Sequence, residues 1–376
     1  MTTKFNKIKK SVTAAAALFL LISCASKILE EEKQETFHQN KEFENLVKVK
    51  ELPATDSEKA QIVSPEAANQ VKRAEKKSEI KKQKENVSKA DGVHDPLSKK
   101  QVPDKKSEKV KETTEPKAEQ KTAKKRLPPV EDSEGFVGRR PEVDPYVLGE
   151  RVTMAVKYFK VAAGYMTFEV RPMAEVNDRL AYHFAVIIKS SSVFSMFYKV
   201  DDWAETFLDY EELVPLTMGI HVNESKQARD IRSYFDWKKL EATFWEKKVT
   251  KEKGEEEKKQ VWKLAPYSQN VVSAIFYLRN FNLRVGKTIA FPVSDDGKNF
   301  VFSGKVLRKE VLTTEAGTFN CFVIKPELKL DGVFKPVGDV YLWITDDKYR
   351  TMVRLESKIK IGTIIAEATK IERPGL

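Results

Sequence analysis

LGERVTMAVKYFKVAAGYMTFEV, residues 148–170, decides the fold class. Val152, Met154, Val156 and Tyr158 alternate with Arg151, Thr153 and Lys157, and Met166, Phe168 and Val170 alternate with Tyr165, Thr167 and Glu169. A period of two puts one set on a single face of a β-strand, whereas a helix repeats its apolar residues three and four apart. Outward from this stretch the pattern continues through Leu180–Ile188, Asp202–Leu208, Leu216–Val222, Ile231–Trp237 and Ala242–Val249. It resumes at Lys287–Val293, Phe300–Leu312, Phe319–Leu328, Val340–Thr345, Met352–Ile359 and Gly362–Ile371. About a dozen strands are predicted. Helical spacing occurs in a short run, Ser191–Tyr198, and in Gln269–Asn280, where Val272, Ile275, Phe276 and Arg279 share a face and Ser268 is the expected N-cap.

The halves of this region repeat. An offset of 137 residues brings Gly149 onto Gly286, Val152, Met154 and Val156 onto Ile289, Phe291 and Val293, and YHFAVI from Tyr182 onto FNCFVI from Phe319. Asp202 falls on Asp339, and Asp209 on Asp346. Ungapped agreement that includes glycines and aspartates is harder to obtain by chance than shared periodicity. The expected fold is mainly β: two curved antiparallel sheets or half-barrels, near 147–240 and 284–372, duplicated from one repeat and joined by one helix. The β-rich domain is read as 141–376, behind a long disordered tether.

Composition supports that division. The 376 residues are 41% hydrophobic and 33% charged, with a net charge of +11, a balance too polar for two packed domains. Every Trp and Tyr lies at or after Tyr146, and between Cys24 and Gly135 the only aromatics are Phe37 and Phe43. Residues 24–140 therefore read as a disordered Lys/Glu-rich tether. Between Val71 and Arg126, 19 Lys/Arg face 10 Asp/Glu, so most of the net charge sits there. Such a segment is expected to touch anionic envelope polymers or to act as a solvated spacer. With no interleaved aromatics it is not expected to bind nucleic acid. As a coil it spans about 55–65 Å, and fully extended it reaches on the order of 350 Å.

The N-terminus reads as an address. Lys4, Lys7, Lys9 and Lys10 precede a short apolar stretch, Ser11–Ser23, too short to span a bilayer. Leu21-Ile22-Ser23-Cys24 resembles a bacterial lipobox. That resemblance implies cleavage of signal peptide 1–23 and acylation at Cys24, a membrane partner held through lipid. Multiple acyl chains, at about 0.8 kcal/mol per buried CH₂, anchor firmly. Ala25 and Ser26 follow; resemblance to lipoproteins of two-membraned bacteria implies the outer membrane, facing the periplasm.

Four stretches carry a family resemblance. They are LGERVTMAVKYFKVAAGYMTFEV, FSMFYKVDDWAETFLDYEELVPL, the run from Val285 containing TEAGTFNCFVIKPEL, and GDVYLWITDDKYRTMVRLESKIKIGTIIAE. Over about residues 145–372 the chain resembles the bacterial envelope family called domain of unknown function 3108. The resemblance implies an exported β-rich protein and supplies no catalytic residues. The connecting helix departs from the family, following Gln269-Asn270 in place of Asp-Pro, and the charged hairpin around KKVTKEKGEEEKK is unmatched. Leu208–Leu216 is also similar to a phrase in periplasmic lipoprotein carriers, which bind acyl chains in a half-barrel.

Chemistry-bearing patterns are sparse. His38, His94, His183 and His221 form no HxH or HExxH spacing, so no metal or other cofactor is expected. GxSxG is absent. Cys321 lies in an apolar strand, where packing outweighs nucleophilic use. Asp201/Asp202, Asp295/Asp296 and Asp346/Asp347 are adjacent pairs; neighbours on a strand point to opposite faces, and turn chemistry accounts for the last two. The sequence thus points to a non-catalytic binding or scaffold module, with a hydrophobic-ligand carrier as the alternative and an envelope hydrolase third. A carrier would line its cavity with Met154, Tyr158, Phe168, Phe184 and their counterparts in the second half.

Overall fold

The computed structural model describes residues 40–52, 144–158, 161–330, 333–336, 339–359 and 362–374. The lipobox, Cys24, His38, His94 and most of the expected tether lie outside them. Helix α1 (Lys41–Leu46) and strand β1 (Val49–Glu51) come first. Then follow β2 (Arg151–Tyr158), β3 (Val161–Val176), β4 (Arg179–Ser190), α2 (Ser192–Ser195), β5 (Asp201–Asp209), β6 (Pro215–Glu224), β7 (Gln227–Asp236), β8 (Glu241–Thr250) and β9 (Gly254–Lys263). Helix α3 (Ser273–Tyr277) runs into a 3₁₀ turn, Leu278–Asn280. The second half holds β10 (Thr288–Asp295), β11 (Lys298–Thr314), β12 (Gly317–Leu330), β13 (Val333–Pro336), β14 (Asp339–Thr345), β15 (Met352–Ile359) and β16 (Gly362–Glu372).

The repeat is visible in these bounds. Shifting β2 by 137 gives the bounds of β10, and the starts of β3 and β6 fall on those of β11 and β15. Gly149 and Gly286 both turn with positive φ, +80° and +86°, and their amides donate to Val170 O and Val306 O. That backbone region is open to glycine without a steric penalty.

The mainly β, antiparallel fold class holds, with one correction: the two sheets expected of it are continuous in one. All named ladders are antiparallel, in the order β10-β11-β12-β14-β15-β16-β2-β3-β4-β5-β6-β7-β8-β9, with β1 on β3 and β13 on β12. The last strand of the second repeat pairs with the first of the first, from Ile364 opposite Tyr158 to Glu372 opposite Arg151. Two half-sheets sharing that ladder lose two exposed edges at once. The remaining edges are β9 and β10: Trp262 Nε1 of β9 donates to Ser294 Oγ of β10 at 2.8 Å, and from β11 Asn299 Nδ2 donates to Lys263 O of β9 at 2.8 Å. The sheet is not closed into a barrel.

The segment between β9 and β10 packs between the repeats. Phe276 stacks on Phe184 at 4.2 Å and meets Phe168 edge-on at 6.2 Å. On its other side Tyr277 meets Phe291 at 5.1 Å, an aromatic group of the second repeat that continues to Phe302. Ser268 is not the N-cap. Gln269 is drawn into a parallel bridge with Val293, so the helix starts later, and Asn270 Oδ1 accepts the amides of Val272 and Ser273 at 3.0 and 2.7 Å. Behind the helix, buried Arg279 pairs with buried Glu150 at 2.7 Å, which also holds Arg373 at 2.7 Å. This triad joins the start of the domain, the connection and the C-terminal end.

Part of the expected tether is ordered, a second correction. Residues 40–52 lie on the domain. Val47 joins a core cluster with Val176, Phe207 and Leu216, against which Phe43 packs, and Phe43 meets Trp245 edge-on at 5.9 Å. Val49 to Glu51 pair with Val176 to Ala174. Asn177 binds both ways, accepting from Lys48 N at 2.8 Å and donating from Nδ2 to Leu46 O at 2.9 Å. A three-residue strand is anchored here because Phe43 and Val47 give it apolar surface to bury.

Candidate functional site

Of the expected carrier lining, Met154, Phe168 and Phe184 are buried in the core, and Tyr158 is half-buried at the end of β2. Phe276 covers the rings of Phe168 and Phe184. A cavity of about 80 Å³ lies elsewhere, against β4–β8 of the first repeat. Val186, Met218, Ile231 and Phe244 are among its apolar lining, supplied by four different strands. Its polar lining is Asp202, Gln227, Arg229, Asp295 and Asp296.

The Asp201/Asp202 pair divides between two surroundings. Asp201 faces Lys189 at 3.1 Å and is partly exposed, whereas Asp202 is buried and accepts Asn223 N–H at 2.8 Å. Burial pushes the Asp202 carboxyl up to about 7, against the pull of the Asn223 amide, with Glu224 adding to the rise. Glu224, itself buried, accepts from Tyr198 Oη at 2.7 Å and from Gln227 Nε2 at 2.9 Å. Across the cavity, Asp296 and Gly297 both take positive φ, +44° and +77°, the conformation of a tight type I′ hairpin turn. That turn presents Asp295, pushed up to about 7 by burial and by Asp296, with Arg229 and Lys258 opposing.

Asp202 and Asp295 therefore face one cavity from different repeats. Asp346 and Asp347 are turn residues: Asp347 Oδ1 accepts the amides of Tyr349 and Arg350 at 3.0 and 2.8 Å, and Asp346 meets Lys309 at 2.6 Å.

His183 is buried, stacked on Phe207 at 4.3 Å and bonded to Glu205 Oε2 at 3.0 Å. Burial raises Glu205, but its bond to His183 and the nearby arginines prevail and hold it below the usual range. His221 stacks on Trp203 and lies 3.7 Å from Asp230. Among the described residues no group of three or more His, Cys, Asp or Glu is placed to hold a metal ion. Cys321 is buried in β12, and burial pushes its thiol up to about 12, which leaves almost no thiolate at neutral pH.

A search of curated proteins found no match. Among solved structures, the chain is similar to a β-barrel-like protein of domain of unknown function DUF1849 from Brucella abortus, with a TM-score of 0.38 and 9% identity, covering 60% of this chain and 99% of that one. It is similar also to a protein with a YmcC-like fold from Bacteroides fragilis, with a TM-score of 0.29 and 11% identity, covering 61% and 98%. Likenesses at this level carry no functional inference. The family model described as protein of unknown function (DUF3108) matches residues 151–369 and indicates no catalytic class. From β2 to β16, that match spans the folded domain, and the chain belongs to the DUF3108 family.

Proposed function

We propose that this is a lipid-anchored protein of the bacterial cell envelope, held at Cys24, whose β-domain is a non-catalytic binding or scaffold module. The lipobox and signal sequence support the anchor, and Ala25-Ser26 supports the outer membrane with the domain facing the periplasm. The basic segment between Val71 and Arg126 supplies contacts for anionic envelope polymers.

The observation that carries the reading is the filled interior. The buried residues of the α3 segment, Val272, Phe276, Tyr277 and Phe281, occupy the space between the repeats where a carrier would keep an acyl chain. The cavity against β4–β8, about 80 Å³, is small beside the roughly 300–1,000 Å³ of small-molecule sites. Organic extraction of protein purified from its native membrane, followed by mass spectrometry, tests this. Beyond the covalent anchor, no stoichiometric lipid is expected. One acyl ligand per chain would overturn the scaffold reading in favour of the carrier. Separately, Cys24→Ser is expected to abolish palmitate labelling and leave an unprocessed precursor.

A further inference from the structure

Five of the eleven exposed large apolar side chains among the described residues fall within 37 positions: Val161, Tyr165, Val193, Met196 and Phe197. Phe197 is 73% exposed and Met196 65%. Val193, Met196 and Phe197 stand at i, i+3 and i+4, so one face of α2 and its following turn carries all three. The connection that bears them is firmly built. Ser191 N–H donates to Ala163 O at 2.9 Å, Ser190 Oγ lies 2.8 Å from Ser195 Oγ, and Tyr198 Oη reaches back to Glu224. The apolar face is thus held outward by a hydrogen-bonded connection.

Lysines surround it. Lys199 is exposed in the same connection, Lys226 in the neighbouring β6–β7 hairpin, whose Ser225 amide donates to Lys199 O, and Lys358 at the same end of the sheet on β15, with β16 between it and β2. Lys189, beside Tyr165 in the ladder, is paired with Asp201. At the opposite ends of these strands the connections carry exposed Asp178, Glu211 and Glu212 together with exposed Lys238 and Lys239. The first repeat therefore has one end that is apolar and basic and another of mixed charge.

We infer that the apolar, basic end docks on an anionic bilayer, with Phe197, Met196 and Val193 entering the headgroup region and Lys199, Lys226 and Lys358 facing lipid phosphates. An apolar tip ringed by amines matches a surface that is anionic above and apolar beneath. The length of chain before the described residues agrees, a point that rests on lipidation at Cys24. Residues 40–52 are held on the domain, so the leash runs only from Cys24 to Asn40. Those 16 steps reach about 53–58 Å, comparable with the roughly 50 Å of sixteen-residue β3. The leash keeps the domain at the bilayer and still lets the far end of β3 touch it. Residues 53–143 connect two described parts of the chain, 40–52 and 144 onward, and so do not set this distance.

The test uses residues 25–376, expressed without the signal peptide and Cys24, which removes both the lipid anchor and the apolar leader and keeps the basic segment, so the outcome is independent of lipidation. An environment-sensitive dye is attached at Phe197→Cys, and in a parallel protein at Val311→Cys, an exposed position on β11; buried Cys321 does not compete for label. On vesicles of phosphatidylethanolamine and phosphatidylglycerol, the dye at 197 is expected to brighten and to be quenched by brominated acyl chains. The dye at 311 is expected to do neither. In the unlabelled chain, Val193→Ser with Met196→Ser is expected to lower vesicle partitioning about tenfold or more. Attraction through the basic segment alone would move both dyes alike and leave partitioning unchanged by the serines. Either of those results, or no response at 197, overturns the proposal.

Discussion

Replacing Phe276 by alanine removes the ring on which the filled interior depends. Phe276 is 2% exposed, lies parallel to Phe184 with an interplanar angle of 11°, and its carbonyl accepts Tyr146 Oη at 3.1 Å. The backbone bond survives the substitution, so the loss comes from packing. Truncating a buried Phe costs about 3–5 kcal/mol, because transfer free energy is lost and the surrounding wall collapses only partly. For a domain of this size, about 2–4 °C per kcal/mol converts this to a fall in Tm of roughly 6–20 °C. Urea unfolding of the full chain, followed by tryptophan fluorescence, should show a lower midpoint with an unchanged slope. Phe276→Leu keeps most of the apolar volume and should recover more than half the loss. Phe197→Ala, at an exposed position, should change stability by no more than about 0.5 kcal/mol. A loss below about 1 kcal/mol for Phe276→Ala would refute the reasoning, because the ring would then be lining a space already empty.

Three further outcomes are expected. Glu150→Gln leaves Arg279 and Arg373 without their shared carboxylate and should cost about 3–5 kcal/mol in the same urea assay; an effect under about 1 kcal/mol would mean that water replaces the triad. Val47→Asp should release residues 41–52, read as rapid amide exchange there with protection elsewhere unchanged; equal protection in both proteins would contradict the docking. Asp202 is raised from 3.8 to about 7 in the folded chain. Between those values the folded state holds a proton that the unfolded state has released, so stability falls as pH rises from about 4 to about 7, by at most about 1.4 kcal/mol per pH unit for this group. Asp202→Asn keeps the acceptor for Asn223 and should flatten that slope and raise Tm at pH 8; an unchanged slope would sink the assignment.

The strand set, the repeat and the site of the connecting helix could be read from residue order. Each depends on side-chain period, and period is a local property: Val152, Met154 and Val156 share a face whatever else folds around them. The offset of 137 likewise needs only a comparison of the chain with itself. Tertiary structure decided everything that depends on which surfaces meet. No local pattern says that β16 pairs with β2, because both read equally well as edges. Phe43 stood out only as one of two aromatics in a polar region, and the partner that orders it, Trp245, lies about two hundred residues away. Asp202 and Asp295 looked like members of separate pairs, and alternation does send Asp201 and Asp202 to different faces; their meeting at one cavity arises because the repeats curve around the same interior. Glu150 and Arg279 carried no sequence signal, since a buried ion pair is recognisable only when burial is known. The interior that the alternative carrier reading would have kept as a cavity is filled by Phe276, because the helix read from its apolar spacing had to bury that face somewhere.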